Sequence, residues 1–370
     1  MSLNALLSGG VINTVWSVLL AILILLAMIT VHEFGHYVAG RALGFGINEF
    51  SIGFGPAIFK RAGKKHGTLF AVRAFPLGGY CAFEGEDDEG EGPRAFNRQH
   101  PLKRIIVLVS GALFNYILAL VVILISVFAF GLMSYRIGSA APDEDIPAAY
   151  SLQAGDVLLS VEGRDIYLAS DLVRALNGRR GGEMVQAEVL RGGERVTAQI
   201  ELRADCDFEN SADISLAFLA LGVGTYETHT GAYYDLSAVG CKFGFWESIG
   251  RSFMYSFKIA GTIFTVLGEL LTGDLSLDAV GGPVTTIKLT SEMAAQGVRS
   301  FLEIAAYIGV NLAVFNLLPI PALDGSKVIF CLIEWIFKKP VPRKAEAVIH
   351  AVGFLAILAF AIVVDILQFV

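Results

Sequence analysis

The first formal charge in this chain is Glu33, and it stands inside the sequence Val31-His32-Glu33-Phe34-Gly35-His36. The run before it, Ile12 to Val31, is almost wholly apolar. A helix needs about 20 such residues to cross a bilayer, so the length is right. A carboxylate and two imidazoles at the end of a membrane-length helix are costly unless something pairs with them. On a helix, residues i and i+4 lie one above the other on the same face. His32 and His36 can therefore each turn one ring nitrogen toward a single Zn2+, while Glu33 stands where it can take a proton from water at the metal. H-E-x-x-H also arises by chance on surface helices. The apolar run before it is what favours a metal site here. Two histidines leave the ion short, because a hydrolytic site of this type keeps three protein ligands and one open position.

The 370 residues are 54% hydrophobic and 17% charged, with a mean hydropathy of +0.61. That composition points to a polytopic α-helical membrane protein. The net charge of -7 argues against nucleic-acid partners, which need a basic face. Cys81, Cys206, Cys241 and Cys331 have no C-x-x-C spacing and read as unpaired residues. The N-terminus lacks the basic region of a cleavable signal peptide. About four transmembrane helices are expected: Ile12–His36, Ile105–Leu132, Phe301–Leu318 and Ala347–Leu367. Phe245–Leu271 is punctuated by Glu247, Arg251, Lys258 and Glu269, and is expected to be an amphipathic helix lying at the membrane interface or against the bundle. Lysine and arginine cluster after the first span and before the last, and are absent before Ile12 and after Leu367. By the positive-inside rule both termini lie outside and H-E-x-x-H lies at the cytoplasmic end of the first span.

Between Ile47 and Glu84, Gly53, Gly55, Pro56, Gly63, Gly67, Pro76, Gly78 and Gly79 break the chain into short runs that read as β-hairpins. Phe75-Pro76-Leu77-Gly78-Gly79-Tyr80 is apolar for a cytoplasmic loop. A membrane-associated sheet dipping toward the metal, with an edge that could pair with an extended substrate, is one reading. An ordinary cytoplasmic ribbon is the other. Glu84–Glu91 reads as a solvated acidic loop. In the second span Ser110-Gly111-Ala112 permits close helix packing, and Asn115 is expected to make a helix–helix hydrogen bond. From Gly138 to Arg203 the composition becomes that of a soluble α+β domain. It has a strand at Val157–Val161, a turn at Glu162-Gly163, a helix over Ser170–Leu176 capped by its serine, and a hairpin around Gly192-Gly193. This stretch resembles an inserted PDZ domain of the bacterial protease type, which is either a spacer or a binder of peptide ligands by strand addition.

The third ligand is expected from the stretch Asn311 to Gly325. Pro319 and Pro321 break the helical ladder there, and Asp324 falls at the depth of the two histidines. A zinc ion held by two histidines would remove the cost of a buried carboxylate. Asp324 could equally cap a helix restarting at Gly325, and one oxygen for each role is compatible with both.

H-E-F-G-H, G-F-G-P, P-L-G-G-Y, the PDZ-like insert and N-L-L-P-I-P-A-L-D-G, in that order, resemble the site-2 protease family, in particular its bacterial regulator-of-sigma-E branch. The resemblance covers nearly the whole chain. It implies that His32, His36 and Asp324 bind zinc and that Glu33 is the general base. It also implies that Asn316, with Asn311 sharing the task, positions substrate or stabilises the oxyanion. The insert has room for one PDZ-like domain where some members carry two. The implied organisation is a protease half over 1–137, a PDZ-like extracytoplasmic domain over 138–204, a linker with a membrane-associated helix over 205–300, and a second protease half over 301–370. The implied partners are the lipid bilayer and single-span membrane proteins such as anti-sigma factors and remnant signal peptides, in a bacterial cell membrane. A metal-binding transporter would be expected to show an inverted repeat, and none is apparent. A catalytically silent scaffold usually carries a damaged metal motif, and this one is intact.

Overall fold

The computed structural model describes residues 9–64, 67–86, 92–141, 152–202, 224–227, 233–276 and 280–368. Cys206 and residues 87–91 of the acidic stretch lie outside the described residues. The chain divides into two compact units, Met1–Ile123 with Ile259–Val370, and Leu124–Lys258.

The first unit opens with α1, Gly9–Ala42, one unbroken helix of 34 residues. It contains no proline, so nothing interrupts its hydrogen-bond ladder. Strands β1 (Ile47–Ala62) and β2 (Leu69–Phe83) pair antiparallel. Their register is doubled: Phe50 lies opposite Cys81 on one side and Phe70 on the other. Each strand therefore bends on itself, at Gly53–Pro56 and at Pro76–Gly78. The run 79–83 pairs with 47–52, and 57–62 pairs with 69–73. Phe45, Ile47, Phe50, Cys81 and Phe83 bury one face against Phe96, Val107, Leu108 and Cys331. Phe54, Ile58, Phe59, Val72 and Phe75 are exposed, apolar surface that water would penalise and lipid would not. Helix α2, Pro101–Phe130, follows with proline at its first position, where no N–H is needed.

The second unit is built on a sheet. Its strands are β3 (Leu132–Ala141), β4 (Val157–Val161), β5 (Arg164–Asp165), β6 (Met184–Arg191), β7 (Glu194–Glu201), β8 (Gly224–Glu227) and β9 (Tyr233–Cys241), with helix α3 (Ala169–Leu176) between β5 and β6. The sheet order is β7-β6-β4-β3-β9-β8, and β5 pairs with β4. Leu158, Val161, Leu172, Leu176, Val185, Val189 and Ile200 form its core. The expected strand, turn and hairpin are present. The helix cap differs from expectation. Ala169 begins the helix, and the Asp171 carboxylate, not Ser170, accepts the N–H groups of Tyr167 and Leu168 at 3.0 Å each. Asp171 is fully buried and its other oxygen accepts Lys258 Nζ at 2.7 Å, so the cap doubles as an ion pair. Strand β3 begins at Leu132, where a helix was expected to end, because its backbone pairs with both β4 and β9.

Helix α4, Phe245–Thr272, is continuous over 28 residues. In the first unit α5 (Pro283–Ala295), α6 (Val298–Asn316), α7 (Asp324–Phe337) and α8 (Arg343–Leu367) complete the chain. Five described helices are long and apolar enough to cross a membrane: Val15–Ala42, Pro101–Phe130, Phe245–Thr272, Val298–Asn316 and Arg343–Leu367. The third of these is the segment expected to lie on the surface. Three of its four charges fall in the first half, and residues 259–268 carry none. Cys81, Cys241 and Cys331 are free and buried. Burial pushes the Cys331 thiol up to about 11, so it is held as an unreactive core residue.

Candidate active site

Helix α1 carries His32 and His36 one turn apart, and their rings meet edge to face at 4.7 Å between centroids. His36 Nδ1 donates to the Val107 carbonyl of α2 at 2.8 Å. That bond assigns the proton to Nδ1 and leaves Nε2 as a bare lone pair. His36 Nε2 lies 3.1 Å from His32 Nε2, and Asp324 Oδ2 lies 2.9 Å from His32 Nε2 and 3.3 Å from His36 Nε2. Ligands at about 2.0–2.1 Å from a tetrahedral zinc stand roughly 3.3 Å apart, so this triangle has the size of one face of such a site. A single proton on His32 can serve only one of the two facing acceptors. A cation satisfies all three, and two imidazoles with one carboxylate suit zinc.

Asp324 arrives there because α6 ends at Asn316 and the proline-rich turn restarts the chain as α7. Asp324 is the first residue of α7, and the cap position belongs to Leu323 with no side-chain cap bond. The capping role expected for Asp324 is therefore not made, since its carboxylate is committed to the two histidines. Gly325 allows the approach: a Cβ there would run into the carbonyl oxygens of Leu317 and Leu318. Arg104 of α2 donates to the Glu334 carboxylate of α7, and Lys327 Nζ lies 2.7 Å from Glu86 Oε1. Both ion pairs fasten α7 beside the histidine helix's neighbours.

The turn is held from a residue that the sequence did not single out. His350 Nδ1, on α8, accepts the Ala322 N–H at 3.0 Å, and Ala322 sits at φ 77°, a left-handed conformation unfavourable for a residue with a Cβ. His350→Ala removes the bond that keeps Ala322 strained. A hydrogen bond worth about 1 kcal/mol corresponds to roughly fivefold weaker zinc retention against a chelator, and competition with a colorimetric chelator would measure it.

A cavity of about 320 Å³ is lined by Ile29, His32, Glu33, Asn115, Leu312, Asn316, Ala322, Leu323 and Asp324. Glu33 and Asn316 thus share the cavity with two of the three donors, His32 and Asp324. Asn311 is not among its lining residues. The Cys81 main chain, in the run 79–83, offers a hydrogen bond to the Glu33 carboxylate. Gly79 lies beside Glu33: a Cβ there would meet Glu33 Cγ at 3.4 Å, an ordinary contact distance. Asn115 departs from expectation. It is 1% exposed, yet neither Nδ2 nor Oδ1 has a hydrogen-bond partner. The interhelical bond expected for it is absent, because its side chain lies against the cavity.

Comparison with known proteins adds the family context. Peptidase family M50 matches residues 20–360. Three relatives carry the name "putative zinc metalloprotease". One from Clostridium perfringens is 32% identical over 352 residues, 94% of this chain and 97% of its own. One from a Nostoc species is 31% identical over 359 residues, 94% of each chain. One from Brucella suis is 30% identical over 378 residues, 96% of each chain.

Proposed function

The chain belongs to peptidase family M50, the site-2 proteases, and from that premise we propose that His32, His36 and Asp324 hold the zinc ion of a membrane metalloendopeptidase and that Glu33 is its general base. The observation that carries the assignment is the triangle of donor atoms, 2.9–3.3 Å on a side, two of whose corners, His32 and Asp324, line a cavity with Glu33. When bound, zinc acts as a Lewis acid on the scissile carbonyl and makes water acidic near neutral pH. Glu33 takes one proton from the attacking water as its oxygen bonds to the carbonyl carbon. It returns a proton to the nitrogen as the C–N bond breaks, leaving a carboxylic acid and an amine. The Asn316 amide supports the oxyanion.

The substrates are transmembrane segments of single-span proteins, of the kind represented by membrane-tethered anti-sigma factors and remnant signal peptides. A transmembrane helix satisfies its peptide groups internally, so it must unwind before it can be cut. The run 79–83 beside Glu33 supplies a strand edge on which the unwound segment can be held. Basic residues cluster in the segments after α1 and before α8, which supports a cytoplasmic position for the site. Residues 138–204 act outside the cytoplasm as a PDZ-like domain, either a spacer that restricts access or a binder of extended peptide segments.

The test is cleavage of a purified single-span substrate by the full chain, with and without a zinc chelator. Chelation is expected to stop cleavage and added zinc to restore it. Asp324→Ala is expected to lower zinc from one per chain to a small fraction, measured by elemental analysis. Chelator-resistant cleavage would defeat the zinc-dependent reaction, and full zinc in the variant would remove Asp324 from the site.

A further inference from the structure

Asn115 lines the cavity and has no part in the chemistry assigned above. It lies one turn beyond Gly111 on α2, on the helix face that meets the two imidazoles. Its carboxamide is buried with both polar atoms unpaired. Buried amides are ordinarily bonded, and one left open in a native site calls for an explanation. Ile29 and Leu312, on the wall of the same cavity, have apolar side chains and offer it no hydrogen bond. A primary amide presents one acceptor and two donor hydrogens side by side, which matches the acceptor and donor of a peptide group.

A membrane segment unwound for cleavage has such peptide groups, stripped of their helical partners in a place that offers little water. We propose that Asn115 binds the backbone of the extended substrate next to the scissile bond, with Nδ2–H donating to a substrate carbonyl and Oδ1 accepting from a substrate N–H. This rests on the reading of the cavity as the place where a peptide is cut. The contact recognises main chain, so it selects for local unwinding and is indifferent to side-chain identity. Asn115 from α2 and Asn316 from α6 then divide the work: the first holds a neighbouring peptide group, and the second serves the reacting carbonyl.

Asn115→Leu removes both polar atoms at nearly constant volume. A structural amide and a substrate-binding amide predict opposite results. Leucine in place of an orphaned amide should leave the thermal midpoint unchanged or raised and zinc at one per chain, because no protein bond is lost. Binding of a fluorescent synthetic single-span peptide in detergent micelles, measured in the full chain with Glu33→Gln so that no turnover intervenes, should weaken about tenfold on adding Asn115→Leu. Cleavage by Asn115→Leu alone should fall by a similar factor in kcat/KM. Equal peptide affinity with and without the substitution overturns the proposal, as does failure of the Glu33→Gln parent to bind the peptide. A lowered midpoint or lost zinc overturns it too, by making the amide structural. Asn115-dependent binding without cleavage by the unsubstituted chain would leave this contact standing and defeat the proposed reaction.

Discussion

Glu33→Gln is expected to retain one zinc per chain and to lose peptide cleavage by roughly 10²–10⁴-fold, the range that general acid–base catalysis contributes. The glutamine has nearly the same size, and Glu33 is not one of the three clustered donors, so the ion's holders are untouched. A neutral amide cannot accept the water proton and has none to return to the leaving nitrogen. Elemental analysis and a gel-based cleavage assay on the same preparation separate the two effects. Zinc retained with turnover unchanged would show that another group moves the proton. The substitution also turns the protein into a trap for its substrates. Mass spectrometry of membrane proteins accumulating in its presence would identify them.

Gly111→Ala is expected to empty the site by adding one methyl group. A Cβ at Gly111 would stand 2.5 Å from His36 Nε2 and 2.8 Å from His32 Cε1. Carbon contacts settle near 3.5–4.0 Å, so both rings would have to move by about 1 Å. Metal–ligand distances tolerate only about 0.2 Å. Zinc content and cleavage should both drop to near background, while the helix itself should gain, since alanine is favoured over glycine there by roughly 1 kcal/mol. Preserved helical circular dichroism with absent zinc is the expected signature. A variant with full zinc and full activity would mean that α2 can retreat from α1 without cost.

That contrast shows how much of the site a sequence can carry. His32, Glu33 and His36 were legible because a helix has a fixed period, and three polar groups at the end of a long apolar run need a common explanation. Asp324 was legible from the cost of a carboxylate among prolines at membrane depth. The glycines and prolines between Ile47 and Glu84 announced strands, although not the doubled register in which Phe50 faces both Cys81 and Phe70. What stayed hidden depends on neighbours across space. Ser110-Gly111-Ala112 read as generic helix packing, and only the fold shows that Gly111 makes room for imidazoles. Asn115 read as an interhelical bond because periodicity gives a residue's face and not what stands opposite. His350 gave no signal, since its partner is a main-chain N–H 28 residues away. Ser170 lost the cap because the helix starts one residue earlier, at Ala169, which puts Asp171 at the third helical position, where its carboxylate reaches back to the Tyr167 and Leu168 N–H groups.

Asp324 follows His32 by 292 residues, and this separation has a bearing on synthesis. A ribosome delivers the two histidines and the glutamate early, yet the donor set cannot close until nearly the whole polypeptide has been made. A truncated or half-inserted product that stops short of Asp324 therefore carries an incomplete donor set into the membrane.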